Sequence, residues 1–187
     1  MSDDATDEAM EFLLRDLGRV VVVGAELERA LVFAVAWLAA GTADDLKIAF
    51  ALTAGLNATQ LADKVVQLLR VRGVDEALTK RVSDATGAAK TAWDARNRLV
   101  HSAWEQVGTG EEAVFRRQRI HRDRKFGYEI DWSHVSGEEA AAVVDQLHTA
   151  WIGFVDLFPA IAQAGAFGVD VQQLTGSATD RRDEPQI

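Results

Sequence analysis

Through most of this 187-residue chain, apolar side chains return every three or four positions, and that period belongs to the α-helix. From about Ala9 to Ala40 the recurring set is Leu13, Leu17, Val20, Leu27, Leu31, Ala34 and Leu38. Val20 to Val23 have strand character, but helix formers flank them and the stripe continues on both sides. A helix is therefore expected, with Gly18 or Gly24 as a possible bend and Gly41 as its stop. Thr42-Ala43-Asp44-Asp45 has the Ser/Thr-x-x-acid form of a helix start, and opens a second helix that runs to about Val71, before Gly73. A third helix is expected over about Asp75 to Trp104, with Leu78, Val82, Ala85, Ala89, Ala92 and Leu99 turned inward.

The period then changes. Val114 to Ile120 and Phe126 to Trp132 are short runs rich in β-branched and aromatic residues. The polar residues His121 to Lys125 separate them, which reads as a β-hairpin. Ser136-Gly137-Glu138-Glu139 is a capping box. It opens a fourth long helix with Ala140, Val144, Leu147, Trp151, Phe154 and Phe158 on one face, and Pro159 is placed to end or kink it. The expected fold is all-α, a bundle of four long helices with a β-hairpin insertion before the last helix. An acidic, disordered N-terminus over 1–8, one domain over 9–164 with the hairpin at about 112–132, and a polar tail over 165–187 complete the expected plan. Ser177 to Ile187 is expected to be disordered.

Composition narrows the function classes. There is no cysteine, so disulfides, thiolate metal sites and thiol nucleophiles are excluded. The uncharged stretch from Ala30 to Ala43 is shorter than the roughly 20 residues of a membrane span. Met1-Ser2-Asp3-Asp4 is the reverse of a secretory signal, and the chain is expected to be cytoplasmic with no membrane partner. A net charge of −9 argues against a surface that coats nucleic acid all over. It leaves room for a local basic site, and Arg116, Arg117, Arg119, Arg122, Arg124 and Lys125 fall within ten residues. Interleaved with Phe115, Phe126 and Tyr128, they form a candidate RNA-binding run that would grip a backbone and stack a base. His121 in that turn is an auxiliary candidate.

The densest chemistry lies late in the third helix, at Trp93-Asp94-Ala95-Arg96-Asn97-Arg98-Leu99-Val100-His101-Ser102-Ala103-Trp104. At about 100° per residue, Asp94, Asn97 and His101 share one face. Asn97 is placed to hydrogen-bond the imidazole and fix its tautomer, and Asp94 to support its charge or pair with Arg98. Arg96 lies about 140° from His101 around a straight helix, so a second copy of the helix is expected to bring them to one cleft. Trp93, Val100 and Trp104 form an apolar stripe beside the polar one, suited to the core or to a dimer seam.

Arg96, the polar Asn97 after it, and His101 resemble the Arg-x4-6-His motif of the HEPN family. The likeness covers residues 10 to 163 loosely and the motif specifically. It implies a metal-independent endoribonuclease, a homodimer with a composite site, in a toxin or antiphage defence setting with a cognate antitoxin or regulatory protein. By that resemblance Arg96, Asn97 and His101 are the catalytic residues. His101 is the general acid/base for attack of a ribose 2′-OH on its own phosphate, Arg96 stabilises the phosphorane charge, and Asn97 holds the geometry. An imidazole titrates at about pH 6.5 and both takes and gives a proton near neutrality. An Arg fork matches two phosphate oxygens.

Other patterns carry less. His121-Arg122-Asp123 mimics a kinase catalytic-loop tripeptide, without the Gly-rich loop or Asp-Phe-Gly that would give it meaning. His134 and His148 have no second ligand at metal spacing, so neither metal nor cofactor is expected. The alternative function is a non-catalytic helical bundle that serves as a protein–protein interaction module.

Overall fold

A computed structural model describes residues 4–107, 114–123, 127–135 and 137–167. Along the chain these are α1 (Asp4–Ala39), α2 (Leu46–Thr53), α3 (Ala58–Val71), α4 (Glu76–Val100), β1 (Ala103–Val107), β2 (Val114–Asp123), β3 (Gly127–Val135), α5 (Gly137–Val155) and α6 (Phe158–Gln163). The four-helix bundle with a hairpin insertion is thereby corrected. The described residues hold six helices, and the strands form a three-stranded antiparallel sheet in the order β1-β2-β3 rather than a two-stranded hairpin. No helix among the described residues is long and apolar enough to cross a membrane.

Each departure has a local cause. The expected helix from 42 to 71 is broken at Ala54 to Asn57. Gly55 adopts φ +80°, a left-handed conformation that side chains with a Cβ disfavour. Asn57 then caps α3. Its side chain accepts from Gln60 N at 3.0 Å, and the Gln60 side chain accepts from Asn57 N at 3.0 Å. At the expected start, Thr42 N and Oγ1 both donate to Asp45 Oδ2 at 2.9 Å, but this closes a turn and α2 begins only at Leu46. The fourth long helix divides at Asp156 and Leu157. Pro159 sits in the first turn of α6, where its missing N–H costs no helical bond.

The first helix begins at Asp4, so part of the segment expected to be disordered is helical. Trp104 belongs to β1 and not to the third helix, which ends at Val100. The strands are longer than expected. His121 and Arg122, read as turn residues, pair across the ladder with Glu129 and Tyr128. Ser136, the expected cap of α5, and residues 168–187 lie outside the described residues. Ala166 and Phe167, assigned to the polar tail, are buried.

Contacts gather the chain into two compact units, each assembled from distant segments. One comprises residues 28–87 and 152–187. Leu31, Leu38, Leu61, Val65, Leu69, Val82, Phe154 and Ile161 are fully buried in it. Its aromatic cluster centres on Trp37, whose ring lies 5.4 Å from Phe33 and Phe167 and 5.7 Å from Phe158. Arg72 closes the end of α1, donating from Nε to Leu38 O at 2.9 Å and from its NH2 nitrogen to Ala40 O at 2.7 Å. Those carbonyls have no partner further along the helix, and a cation suits that end of the helix dipole.

The other unit comprises residues 1–27 and 88–151: the first part of α1, the end of α4, the sheet and most of α5. Val20, Leu27, Leu99, Ala140 and Leu147 are fully buried there, and Ala89, Ala92 and Trp93 nearly so. The candidate site is contained entirely in this unit.

Replacing Arg72 tests the closure of α1. Arg72→Ala should cost about 1 kcal/mol, the net worth of a typical hydrogen bond. By the usual scaling for a chain of this size, Tm should fall by about 2–4 °C. Arg72→Lys should recover only part of the loss, because a single ammonium does not reproduce the two-pronged fork. Calorimetry of the three proteins checks both.

Candidate functional site

Helix α4 ends at Val100, and its last carbonyls find partners at once. His101 N donates to Asn97 O at 3.1 Å, the Ser102 hydroxyl donates to Arg98 O, and Trp104 Nε1 donates to Leu99 O at 3.2 Å. The end of the helix is thus closed by the residues that lead into β1, and His101 stands in the turn between them. It is exposed.

Arg96 lies one and a half turns back and reaches forward. Its NH1 nitrogen donates to Asn97 Oδ1 at 3.0 Å and lies 3.2 Å from His101 Nε2. A guanidinium has donors only, so in this contact Nε2 is the acceptor and the ring proton sits on Nδ1. The Nε2 edge of the imidazole thus faces the guanidinium.

The guanidinium itself is held by stacking. Its central carbon is 4.9 Å from the centroid of the Trp93 ring, one turn earlier on α4. Arg96 is half-buried, and its Nε has neither solvent nor a hydrogen-bond partner. An unpaired buried donor of a charged group costs about 1–3 kcal/mol or more, so the fold holds this side chain in place against its own solvation. Such local costs concentrate at functional sites.

Two expectations are corrected here. Arg96 and His101 do not need a second copy of the helix to meet, because they meet within one chain. The long arginine side chain spans the gap, its NH1 nitrogen reaching to 3.2 Å from His101 Nε2. Asn97 bonds the guanidinium rather than the imidazole, so one nitrogen of Arg96 serves both residues. Asp94 and Arg98 are exposed, and the imidazole's partner is Arg96 rather than Asp94.

The apolar stripe divides as well. Trp93 is only 7% exposed and packs within this unit. Val100 and Trp104 are half-buried, and the Trp104 N–H is already committed to Leu99.

For the basic run, the register is informative. Ala103, two residues beyond His101, pairs with Gln118, and Trp104 pairs with Arg117. The β1–β2 ladder thus brings the strand that carries Arg116, Arg117 and Arg119 alongside the exit of α4. Arg124 and Lys125 lie outside the described residues. No group of three or more metal-ligating side chains gathers among the described residues.

One residue that the sequence reading considered only as a bend belongs here. Gly24 on α1 is buried against the site: a Cβ added to it would lie 3.5 Å from Arg96 Cγ and Nε and 3.6 Å from the Trp93 ring. Nothing in its neighbourhood in the chain signals this, since the contact is made 72 positions away.

No family model, no curated protein and no solved structure matches this chain.

The closure of α4 is testable. Trp104→Phe keeps an aromatic ring and removes the donor to Leu99 O, which should lower stability by about 1 kcal/mol. Thermal unfolding of the variant beside the parent protein measures it, and an unchanged Tm would show that the indole N–H contributes nothing.

Proposed function

We propose that this chain is a metal-independent endoribonuclease of the HEPN type, with Arg96, Asn97 and His101 as its catalytic residues. The observation that carries this reading is the meeting of the three at an exposed helix end, with Arg96 NH1 3.0 Å from Asn97 Oδ1 and 3.2 Å from His101 Nε2.

The chemistry follows from those contacts. An RNA phosphate is a charge-assisted acceptor and competes with a neutral imidazole for the guanidinium. As Arg96 turns to the phosphate oxygens, Nε2 of His101 is released with its lone pair available. It takes the proton of the adjacent ribose 2′-OH, whose oxygen attacks the phosphorus. Arg96 stabilises the charge that gathers on the equatorial oxygens. The P–O5′ bond breaks, and the departing oxygen takes back a proton from the imidazolium. The products are a 2′,3′-cyclic phosphate and a 5′-OH. Asn97 accepts from Arg96 throughout and limits its range.

The β2 strand pairs with β1 just beyond the exit of α4. We assign phosphate-backbone contacts to Arg116, Arg117, Arg119 and Arg122. The exposed position of His101 suits a polymer substrate that cannot enter a closed cavity. The resemblance adds a homodimer acting on cytoplasmic RNA, in a defence or toxin setting, with an antitoxin or regulator as partner. In such a dimer each chain already holds its own Arg–His pair, and the second copy extends the RNA-binding surface.

A helical interaction module is the second reading. It is favoured by a largely apolar groove of about 430 Å³ between α4 and α5, lined by Ala88, Thr91, Ala92, Asp145, Gln146, Thr149 and Ala150.

Purified protein with single-stranded and structured RNA in excess chelator separates the two. The expected result is cleavage leaving 2′,3′-cyclic ends, reduced about 10²–10⁴-fold in His101→Ala. Arg96→Ala should lose about 10²–10³-fold. Cleavage that persists in both variants, or that needs a divalent ion, would reject the ribonuclease. Arg117→Ala with Arg119→Ala should weaken RNA binding and make its salt dependence shallower by about one unit of slope per lost phosphate contact.

A further inference from the structure

We infer that Gly24, together with Trp93, is a positioning residue that forms the slot through which Arg96 reaches His101. The consequence for catalysis rests on the ribonuclease reading, whereas the slot itself does not.

Three observations meet at this point. Gly24 is in the interior of α1, a place where glycine costs about 1 kcal/mol relative to alanine, and it is buried. Its missing side chain is opposite Arg96 Cγ and Nε, both 3.5 Å from an ideal Cβ, and opposite the Trp93 ring at 3.6 Å. The guanidinium carbon is 4.9 Å from the Trp93 ring centroid. The arginine stem is thus confined by an aromatic ring on its own helix and by the bare backbone of another. Lateral freedom is removed by packing, and the terminal nitrogen is delivered to Asn97 and His101.

The slot also accounts for the solitary Nε. The part of Arg96 nearest Gly24 is the part without a hydrogen-bond partner, while the NH1 nitrogen carries both contacts. Packing has fixed the stem where hydrogen bonding alone would not have placed it. A long, flexible side chain exposed to water would spread over several rotamers, and ordering it would cost about 1.5–2 kcal/mol at the moment of reaction. Here the fold has ordered it beforehand, which is the ordinary use of a rigid supporting shell.

The distances set the size rule. A methyl group at position 24 makes an ordinary van der Waals contact, so Gly24→Ala should be accepted and should gain helix propensity. A larger side chain must push on the arginine stem or the indole. Gly24→Leu is the informative variant, because leucine is a strong helix former and any harm is steric.

The primary readout is the tautomer of His101, followed in full-length protein labelled with ¹⁵N histidine, at about pH 8, where an unperturbed imidazole is neutral. The parent protein and Gly24→Ala should show the proton on Nδ1 and an acceptor at Nε2. Arg96→Ala should move the signal toward the Nε2–H tautomer that an unconstrained histidine prefers, and Gly24→Leu should follow Arg96→Ala. In the cleavage assay Gly24→Leu should lower kcat by about 10²-fold, the cost of a misplacement near 1 Å, with Gly24→Ala within about twofold of the parent. Should leucine prevent folding, judged by circular dichroism, Gly24→Val carries the same expectation with a smaller intrusion.

An Nε2–H tautomer in the parent protein overturns the inference, as does a folded Gly24→Leu with the parent's spectrum. If the tautomer responds to Gly24 while no form of the protein cuts RNA, the slot stands and the ribonuclease reading fails.

Discussion

A guanidinium can only donate, and it stays charged at any pH a protein survives. When a fold half-buries one and leaves its Nε without a partner, everything around it must compensate. Here the compensation is the Trp93 face on one side, the bare Gly24 backbone on the other, and two acceptors at the tip. The position of Arg96 therefore sets how Asn97 is used and which edge of the histidine ring faces the guanidinium. The site is a consequence of where one charged side chain is allowed to go.

The same region shows how a helix end becomes a place for chemistry. The last carbonyls of α4 are satisfied by residues just beyond the helix, and His101 stands exposed at that closed end. The negative end of the helix dipole also favours a cation there, which suits the guanidinium that stands over it. Closure and charge placement reinforce one another.

Much of the fold was legible in the chain because most of its helices depend on local spacing. The stripe of α1 and the inward set of α4 are read directly from the three- and four-residue period, and Val20, Leu27, Leu31, Leu38, Val82 and Leu99 are buried as that period requires. The breaks were harder to see. Gly55 and the Asn57-x-x-Gln60 box are local signals of the α2–α3 turn, yet the apolar period runs on through them and hides the interruption. The third strand was hidden for a different reason. Ala103 to Val107 is too short to show its own alternation, and it is a strand because β2 is available to pair with it.

By itself the sequence determined the helical character, the chemical inventory and the candidate triplet of Arg96, Asn97 and His101, since spacing along one helix needs no partner to be read. Only the tertiary structure decided that Arg96 meets His101 within a single chain, that Trp93 belongs to the interior, and that Gly24 is part of the site. The physical reason is range. Helical periodicity relates residues three and four apart, whereas the confinement of one arginine comes from a backbone 72 positions away that no local pattern encodes.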